Sequence, residues 1–152
     1  LQKGEGIFQD AGIPHAYLEG VNMELMANSD NVIRGGLTPK FVDVEELMKT
    51  VSFEPLEREQ IKFPSVVSGP FDIYQVPARD FKLTIVSMDS EVLDYRSSQA
   101  DILFVVEGGV QVIVSEEEKL TLQLGESCFI PASTNHYQLQ GAGQVAIASC
   151  GL

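Results

Sequence analysis

From residue 71 to residue 149 the sequence is a succession of short β-prone runs, and this pattern restricts the fold more than any other feature. Turn-forming segments such as 107–109 and 141–143, which are rich in glycine, separate the runs. The runs cover residues 71–76, 81–88, 101–106, 109–115, 119–124, 127–131, 136–140 and 144–149. Short strands at this spacing predict an antiparallel sandwich or barrel. We therefore predict an all-β fold class.

An internal repeat is the second feature. The segment from Gly4 to Gly20 aligns without a gap on the segment from Gly125 to Gly141, with a shift of 121 positions. In each copy a Gly-Glu turn leads into a short apolar run, a turn, and a second run that opens with histidine, His15 or His136. Each copy therefore predicts one hairpin. Because the copies are far apart, we expect two similar β-units and a chain that starts in the middle of the first.

Between the two copies the sequence predicts one helix and a linker. Asp43 followed by Glu46 resembles a capping box, and Lys49 lies in the last turn, so we place a helix at about residues 43–51. Residues 52–70 contain prolines and a glycine with little periodicity and are typical of a linker. We accordingly predict two domains, residues 1–64 and residues 65–152.

The composition of the chain excludes some classes of binding partner and indicates a cellular location. Lys and Arg number 10 against 22 Asp and Glu, so the net charge is -12 and the surface should repel nucleic acid and anionic membranes. We expect neither as a partner. No apolar run approaches the length of a membrane span, and the first 20 residues do not follow the plan of a signal peptide. The cytoplasm is the expected location, and we interpret Cys128 and Cys150 as reduced and structural.

The spacing of Gly125, Pro131 and His136 resembles the second of the two cupin motifs. The first cupin motif should supply a His-x-His ahead of residue 101, but residues 93–100 contain no histidine. We therefore expect residues 65–152 to form a cupin-like domain without metal ligands, in which His136 is structural or exposed.

A longer resemblance covers nearly the whole chain. Residues 14–44, with HAYLEG at 15–20, SDN at 29–31 and GLTPK at 36–40, closely resemble the signature near the end of the catalytic domain of type I mannose-6-phosphate isomerases. The similarity continues to the carboxy terminus. It implies a cupin-like jelly-roll domain, preceded by the last strands of a second, catalytic cupin and one short helix. It also implies reversible interconversion of mannose 6-phosphate and fructose 6-phosphate.

The resemblance implies one zinc ion for the complete enzyme. The family binds zinc through a Gln-x-His pair, a Glu, and the His of HAYL, which is His15 here and is the one ligand in this chain. A neutral imidazole is a common zinc ligand. Because one histidine cannot hold the ion, we expect residues 1–152 alone to bind zinc weakly and to have negligible isomerase activity.

Five further site residues follow from the resemblance. Arg34 would stabilise the enediolate oxygen, and Glu24 is a candidate general base, although a residue on the missing strands is an equal candidate. Tyr17, Asp30 and Lys40 would contact the phosphorylated hexose substrate. By residue type alone, each has an ordinary alternative. The arginine and the lysine would be solvated, the tyrosine would be a half-buried strand residue, and the aspartate would form a turn.

One other function is compatible with the sequence, and a second is not. A metal-free cupin-like module that binds sugar or a partner protein is the alternative, because the second repeat copy lacks metal ligands. A cupin dioxygenase would need two histidines and a carboxylate around open metal positions, and no such set is visible in the sequence. Unpaired strand edges in residues 1–42 would favour pairing with a second molecule, so the oligomeric state stays open.

Overall fold

The computed structural model describes residues 1–29 and 31–151, and the chain divides into two compact units, Leu1–Phe63 and Pro64–Leu152. Strands greatly outnumber helices among the described residues, so the all-β class is confirmed. The elements are β1 (Gly6–Ile7), α1 (Val44–Thr50), α2 (Arg58–Ile61), β2 (Lys62–Phe63), β3 (Ser65–Ser68), β4 (Phe71–Tyr74), β5 (Phe81–Arg96), β6 (Asp101–Ile113), β7 (Lys119–Gln123), β8 (Ser127–Ile130) and β9 (His136–Cys150).

The second unit is an antiparallel sheet in the order β3-β4-β5-β9-β6-β7, with β8 also paired to β6. Strand β6 pairs with β8 through residues 101–104 and with β7 through residues 109–113. The long strands β5, β6 and β9 therefore belong to two halves of the sheet. The first half contains β3, β4 and β8, and the second contains β7. This arrangement is the predicted cupin-like jelly roll.

The long strands change register where the two halves meet. The β6 ladder shifts between Val105 and Glu107, and the β5 ladder shifts between Asp89 and Val92. On β6 and β9, Gly108 lies opposite Gly143, and both have positive φ, 70° and 129°. A Cβ on either glycine would overlap the backbone of the other strand, which explains the need for glycine there.

The turns predicted from sequence at residues 107–109 and 141–143 are wrong. Both segments lie inside continuous strands, β6 and β9. Glycine is common in turns and also at bulges where two backbones approach closely, and the amino-acid pattern is the same in the two cases.

The hydrophobic core of the second unit contains residues from both halves of the sheet. Its members alternate along the strands, as expected when one face of each strand is buried. The buried residues that form this core are Val86, Met88, Leu103, Val105, Val110, Val112, Leu122, Ile130, Tyr137, Leu139, Val145 and Ile147. The two halves therefore pack on each other through these inward faces.

A buried carboxylate lies beside this core. Asp101 has no exposed surface, and its Oδ2 accepts a hydrogen bond from the Tyr137 hydroxyl at 3.0 Å. Its Oδ1 accepts hydrogen bonds from Ser149 Oγ at 2.5 Å and from Ser97 Oγ at 3.2 Å. Burial raises the pKa of Tyr137 far above its usual value, and the nearby Asp101 charge raises it further. Three hydroxyl donors compensate for the loss of water around the carboxylate.

In the first unit the predicted helix is confirmed as α1. The Asp43 side chain accepts a hydrogen bond from the Glu46 backbone N–H at 3.0 Å, and Lys49 Nζ lies 2.9 Å from Glu45 Oε1. The linker prediction for residues 52–70 is wrong in part, because α2, β2 and β3 lie there. These elements have two to four residues each, too few to show periodicity. At seven residues, the longest helix in the described ranges is too short to cross a membrane.

The two repeat copies share their turns. Gln2 N donates to Glu5 Oε2 at 2.8 Å, and in the second copy Gln123 N donates to Glu126 Oε2 at 2.8 Å. The next turn also matches, since the N–H of residue 13 bonds the carbonyl of residue 10, as residue 134 bonds residue 131. The sequence similarity therefore reflects a shared local backbone.

The copies differ after the second turn. Strand β9 begins at His136, as predicted, but residues 8–29 and 31–43 contain no strand, so the strand predicted to open with His15 is absent from the described ranges. Strand β1 pairs with β2 instead of forming a hairpin with that segment. The physical reason is that a strand requires neighbouring backbone partners. Strand β9 has β5 and β6 on its two sides.

Candidate active site

His15 lies on the extended segment after the second turn, with its side chain exposed. Its Nδ1 lies 3.0 Å from the Ile13 carbonyl oxygen. A carbonyl only accepts hydrogen bonds, so Nδ1 carries the proton in this contact and Nε2 of the neutral ring has a free lone pair. A hydrogen bond of this kind orients the histidine ligands of metal ions in proteins. Nε2 is therefore the ring nitrogen of His15 whose lone pair is available to a metal ion.

The structure brings two other predicted residues next to His15. The Tyr17 ring packs edge-on against the imidazole, with ring centroids 5.8 Å apart. The Tyr17 hydroxyl donates a hydrogen bond to Glu24 Oε1 at 3.2 Å. Partial burial raises the pKa of Tyr17 above its usual value, and the Glu24 charge raises it further. His15, Tyr17 and Glu24 thus form one exposed cluster.

In the part of the chain that the structure describes, Arg34 and Lys40 are not joined to this cluster by hydrogen bonds. Arg34 is half-buried, Lys40 is exposed, and the Lys40 backbone N–H donates to Thr38 Oγ1 at 3.2 Å. Within residues 1–29 and 31–151, neither cationic side chain hydrogen-bonds His15, Tyr17 or Glu24. Asp30 lies outside the described residues.

The metal-binding potential of the described residues is limited. No group of three or more His, Cys, Asp or Glu side chains in residues 1–29 and 31–151 is arranged to hold a metal ion. His15 Nε2 fits the chemistry of a zinc ligand, but a zinc site normally has at least three protein ligands. Among the described residues, His15 could therefore supply only one of the ligands that a zinc site requires.

Sequence reasoning missed the partners of His136 in the second unit. Its Nε2 lies 2.9 Å from Asp94 Oδ1, which also accepts a hydrogen bond from Gln138 Nε2 at 3.1 Å. The hydrogen bond from Gln138 is the larger cause and that from His136 the second, and together they hold the pKa of Asp94 below its usual value. Asp94 is on β5, 42 positions before His136, and the sequence gives no signal of which strands pair.

Comparison with known proteins assigns the chain to a family. The family model described as "Mannose-6-phosphate isomerase, cupin domain" matches residues 73–150, half of the chain. This chain belongs to the mannose-6-phosphate isomerase family. The family resemblance of the sequence is therefore confirmed, together with the cupin-like fold of the second unit.

Individual mannose-6-phosphate isomerases match most of this chain. The one from Salmonella typhimurium is 40% identical over 146 residues, which are 96% of this chain and 37% of the relative. The human one is 36% identical over 140 residues, which are 88% of this chain and 33% of the relative. The chain thus spans about a third of the length of these curated relatives.

A solved structure in the family also matches most of this chain and about a third of its own length. A Salmonella typhimurium mannose 6-phosphate isomerase bound to its substrate, fructose 6-phosphate, and to a zinc atom superimposes with a TM-score of 0.74 at 36% identity. The match covers 84% of this chain and 32% of that protein. At this identity and score, the similarity extends to the fold of most of the described chain.

Proposed function

We propose that this chain is the carboxy-terminal part of a zinc-dependent mannose-6-phosphate isomerase, which reversibly interconverts mannose 6-phosphate and fructose 6-phosphate. Family membership supports the reaction, and the short span relative to the curated relatives supports the view that a longer polypeptide performs it. The cluster of His15, Tyr17 and Glu24 is the observation that carries the proposal, because it joins a free metal-binding nitrogen to a candidate general base.

The surface of the first unit also supports this proposal. None of its described residues is buried, and large apolar side chains such as Leu18 and Phe41 are 88% and 84% exposed. Exposed apolar surface of this kind is typical of a face that other protein covers. We propose that the missing strands of the catalytic cupin cover it and contribute the other zinc ligands.

The residues of the first unit would divide the chemistry between them. When bound, zinc supplies a Lewis acid that polarises the sugar carbonyl. Glu24 would carry the proton between C1 and C2, and the hydrogen bond from Tyr17 would orient its carboxylate. The Arg34 guanidinium would stabilise the negative oxygen of the enediolate. Isomerisation by proton transfer is thus the reaction that these groups support.

Substrate binding requires local positive charge on a chain whose net charge is -12. Arg34 and Lys40 would supply it, with Lys40 contacting the phosphate group or a hydroxyl of the phosphorylated hexose. Tyr17 and Asp30 would contact the sugar hydroxyls. We also propose a cytoplasmic location, because Cys128 and Cys150 are both free thiols.

The test uses this chain and a chimera. In the chimera, residues 1–152 follow the amino-terminal part of the Salmonella typhimurium relative that has no counterpart here. We expect the chain alone to bind little zinc and to show no turnover in a coupled assay with fructose 6-phosphate. The chimera should hold about one zinc ion per molecule and isomerise the substrate. Turnover by the unfused chain would contradict the proposal.

Variants of the chimera assign the roles. His15→Ala should lose zinc and activity together, whereas Tyr17→Phe should keep its zinc. Glu24→Gln should also keep zinc but lose about 10²- to 10⁴-fold in kcat, the usual contribution of a general base. Glu19→Gln, a change at an exposed acid in the same segment, is the control and should be fully active. Retention of zinc by His15→Ala would rule out its role as a ligand.

A further inference from the structure

The second unit contains a groove that the proposed isomerase reaction does not use. Its volume is about 420 Å³, and it is lined by residues of four strands, β5, β6, β7 and β9, and by the segment that connects β6 with β7. Strand β9 contributes His136, Gln138 and Gln140, which alternate with the buried residues Tyr137 and Leu139. The groove therefore lies on the outward face of the second half of the sheet.

The charged groups of the groove balance one another. Among its lining residues, the Lys119 ammonium group is matched by the Glu116 carboxylate. This balance contrasts with the net charge of -12 on the whole chain. An anion would meet the Glu116 carboxylate and a cation would meet the Lys119 ammonium group, so the balance favours an uncharged polar ligand.

Hydrogen bonds within the groove hold its polar groups in place. Asp94 Oδ1 is close to both His136 Nε2 and Gln138 Nε2, at 2.9 Å and 3.1 Å. The Asp94 carboxylate only accepts, so it orders both donors and leaves His136 Nδ1 and Gln138 Oε1 as acceptors. The Gln140 side chain is exposed and has no hydrogen-bond partner among the described residues, so both its donor and its acceptor are available.

We propose that this groove binds the uncharged part of a saccharide. A sugar ring presents adjacent hydroxyls, each of which donates and accepts, and the oriented imidazole and amide groups match that pattern. Val92, which is 47% exposed, and Ile113 provide apolar surface for the C–H face of the ring. The groove shares no residue with the proposed isomerase site, so the two proposals are tested by separate experiments.

The test is an NMR titration of the ¹⁵N-labelled 152-residue chain with methyl α-D-mannopyranoside and, separately, methyl α-D-glucopyranoside. At least one glycoside should cause saturable shifts in the side-chain amides of Gln138 and Gln140, with a dissociation constant in the millimolar range because the groove is open. Inorganic phosphate alone should cause no shift there. The absence of saturable shifts with both glycosides would overturn the proposal, as would equal shifts with phosphate, since these would indicate an anion site.

Two variants localise the binding. Gln140→Ala removes an exposed amide without touching the core and should weaken binding by about tenfold, the effect of one or two lost hydrogen bonds. Gln123→Ala removes an exposed glutamine on β7 that does not line the groove, and its affinity should equal that of the parent chain. Equal affinities for the parent and both variants would show that the sugar binds elsewhere.

Discussion

Replacing Tyr137 by Phe tests whether the hydrogen bond from this hydroxyl to the buried Asp101 carboxylate stabilises the folded chain. The change removes the 3.0 Å hydrogen bond to Asp101 Oδ2 and leaves the ring in the core. A hydrogen bond to a charged group contributes about 1.5–3 kcal/mol, so we expect the free energy of unfolding to fall by about 2 kcal/mol. In a domain of this size, that corresponds to a decrease of about 10 °C in Tm.

The pH dependence of stability provides a second measurement on Tyr137. Its pKa in the folded chain is raised far above the unfolded value of about 10, chiefly by burial. Above about pH 10 the unfolded chain loses this proton while the folded chain keeps it, so stability falls by about 1.4 kcal/mol per pH unit. Tyr137→Phe removes this contribution, and the decrease in stability above that pH should become shallower by the same amount.

Urea unfolding of the parent chain and the variant at neutral and alkaline pH measures both effects. Tyr17→Phe is the control, because its hydroxyl is on an exposed residue and its loss should change stability by less than about 0.5 kcal/mol. If Tyr137→Phe is no less stable than that control and has the parent's alkaline slope, the Asp101 carboxylate does not depend on this hydroxyl and the reasoning is refuted.

Two further predictions concern the backbone and an exposed carboxylate. Gly143→Ala should cost about 3 kcal/mol or more, because its Cβ would overlap the Glu107 carbonyl, whereas Gly125→Ala, also at positive φ but in open space, should cost about 1 kcal/mol. Equal losses in urea unfolding would contradict the close approach of β6 and β9. Gln138→Ala should raise the pKa of Asp94 toward its usual value in an NMR titration of the side-chain carboxyl, since Gln138 is the first cause of its depression. An unchanged pKa would show that this hydrogen bond is absent in solution.

The sequence predicted those elements whose structure depends on local contacts. The cap at Asp43 and the Gly-Glu turn at residues 125–126 formed as expected, because their hydrogen bonds join residues no more than three apart. The glycine segments at 107–109 and 141–143 were misread as turns. A bulged strand and a turn use the same residues, and the choice depends on a partner strand far away in the sequence.

The candidate functional residues also include some that the sequence identified and one that only strand pairing brought into place. The family resemblance gave six site residues, and the structure joins three of them, His15, Tyr17 and Glu24, by contacts. Asp94 was missed as the partner of His136. Its position beside that histidine follows from the β5–β9 register, in which Asp94 pairs with Gln138 and Arg96 with His136.

By itself the sequence determined the fold class, the helix at its cap and the turns of both repeat copies, because alternation, capping and turn chemistry are properties of neighbouring residues. The family followed from the resemblance of residues 14–44 to a known family signature. Tertiary structure alone decided that the glycines bend long strands, that Asp101 is buried under three hydroxyls, and that two amides and an imidazole line one groove. Each of these features depends on strand pairing between distant segments, which is selected by the burial of the whole core.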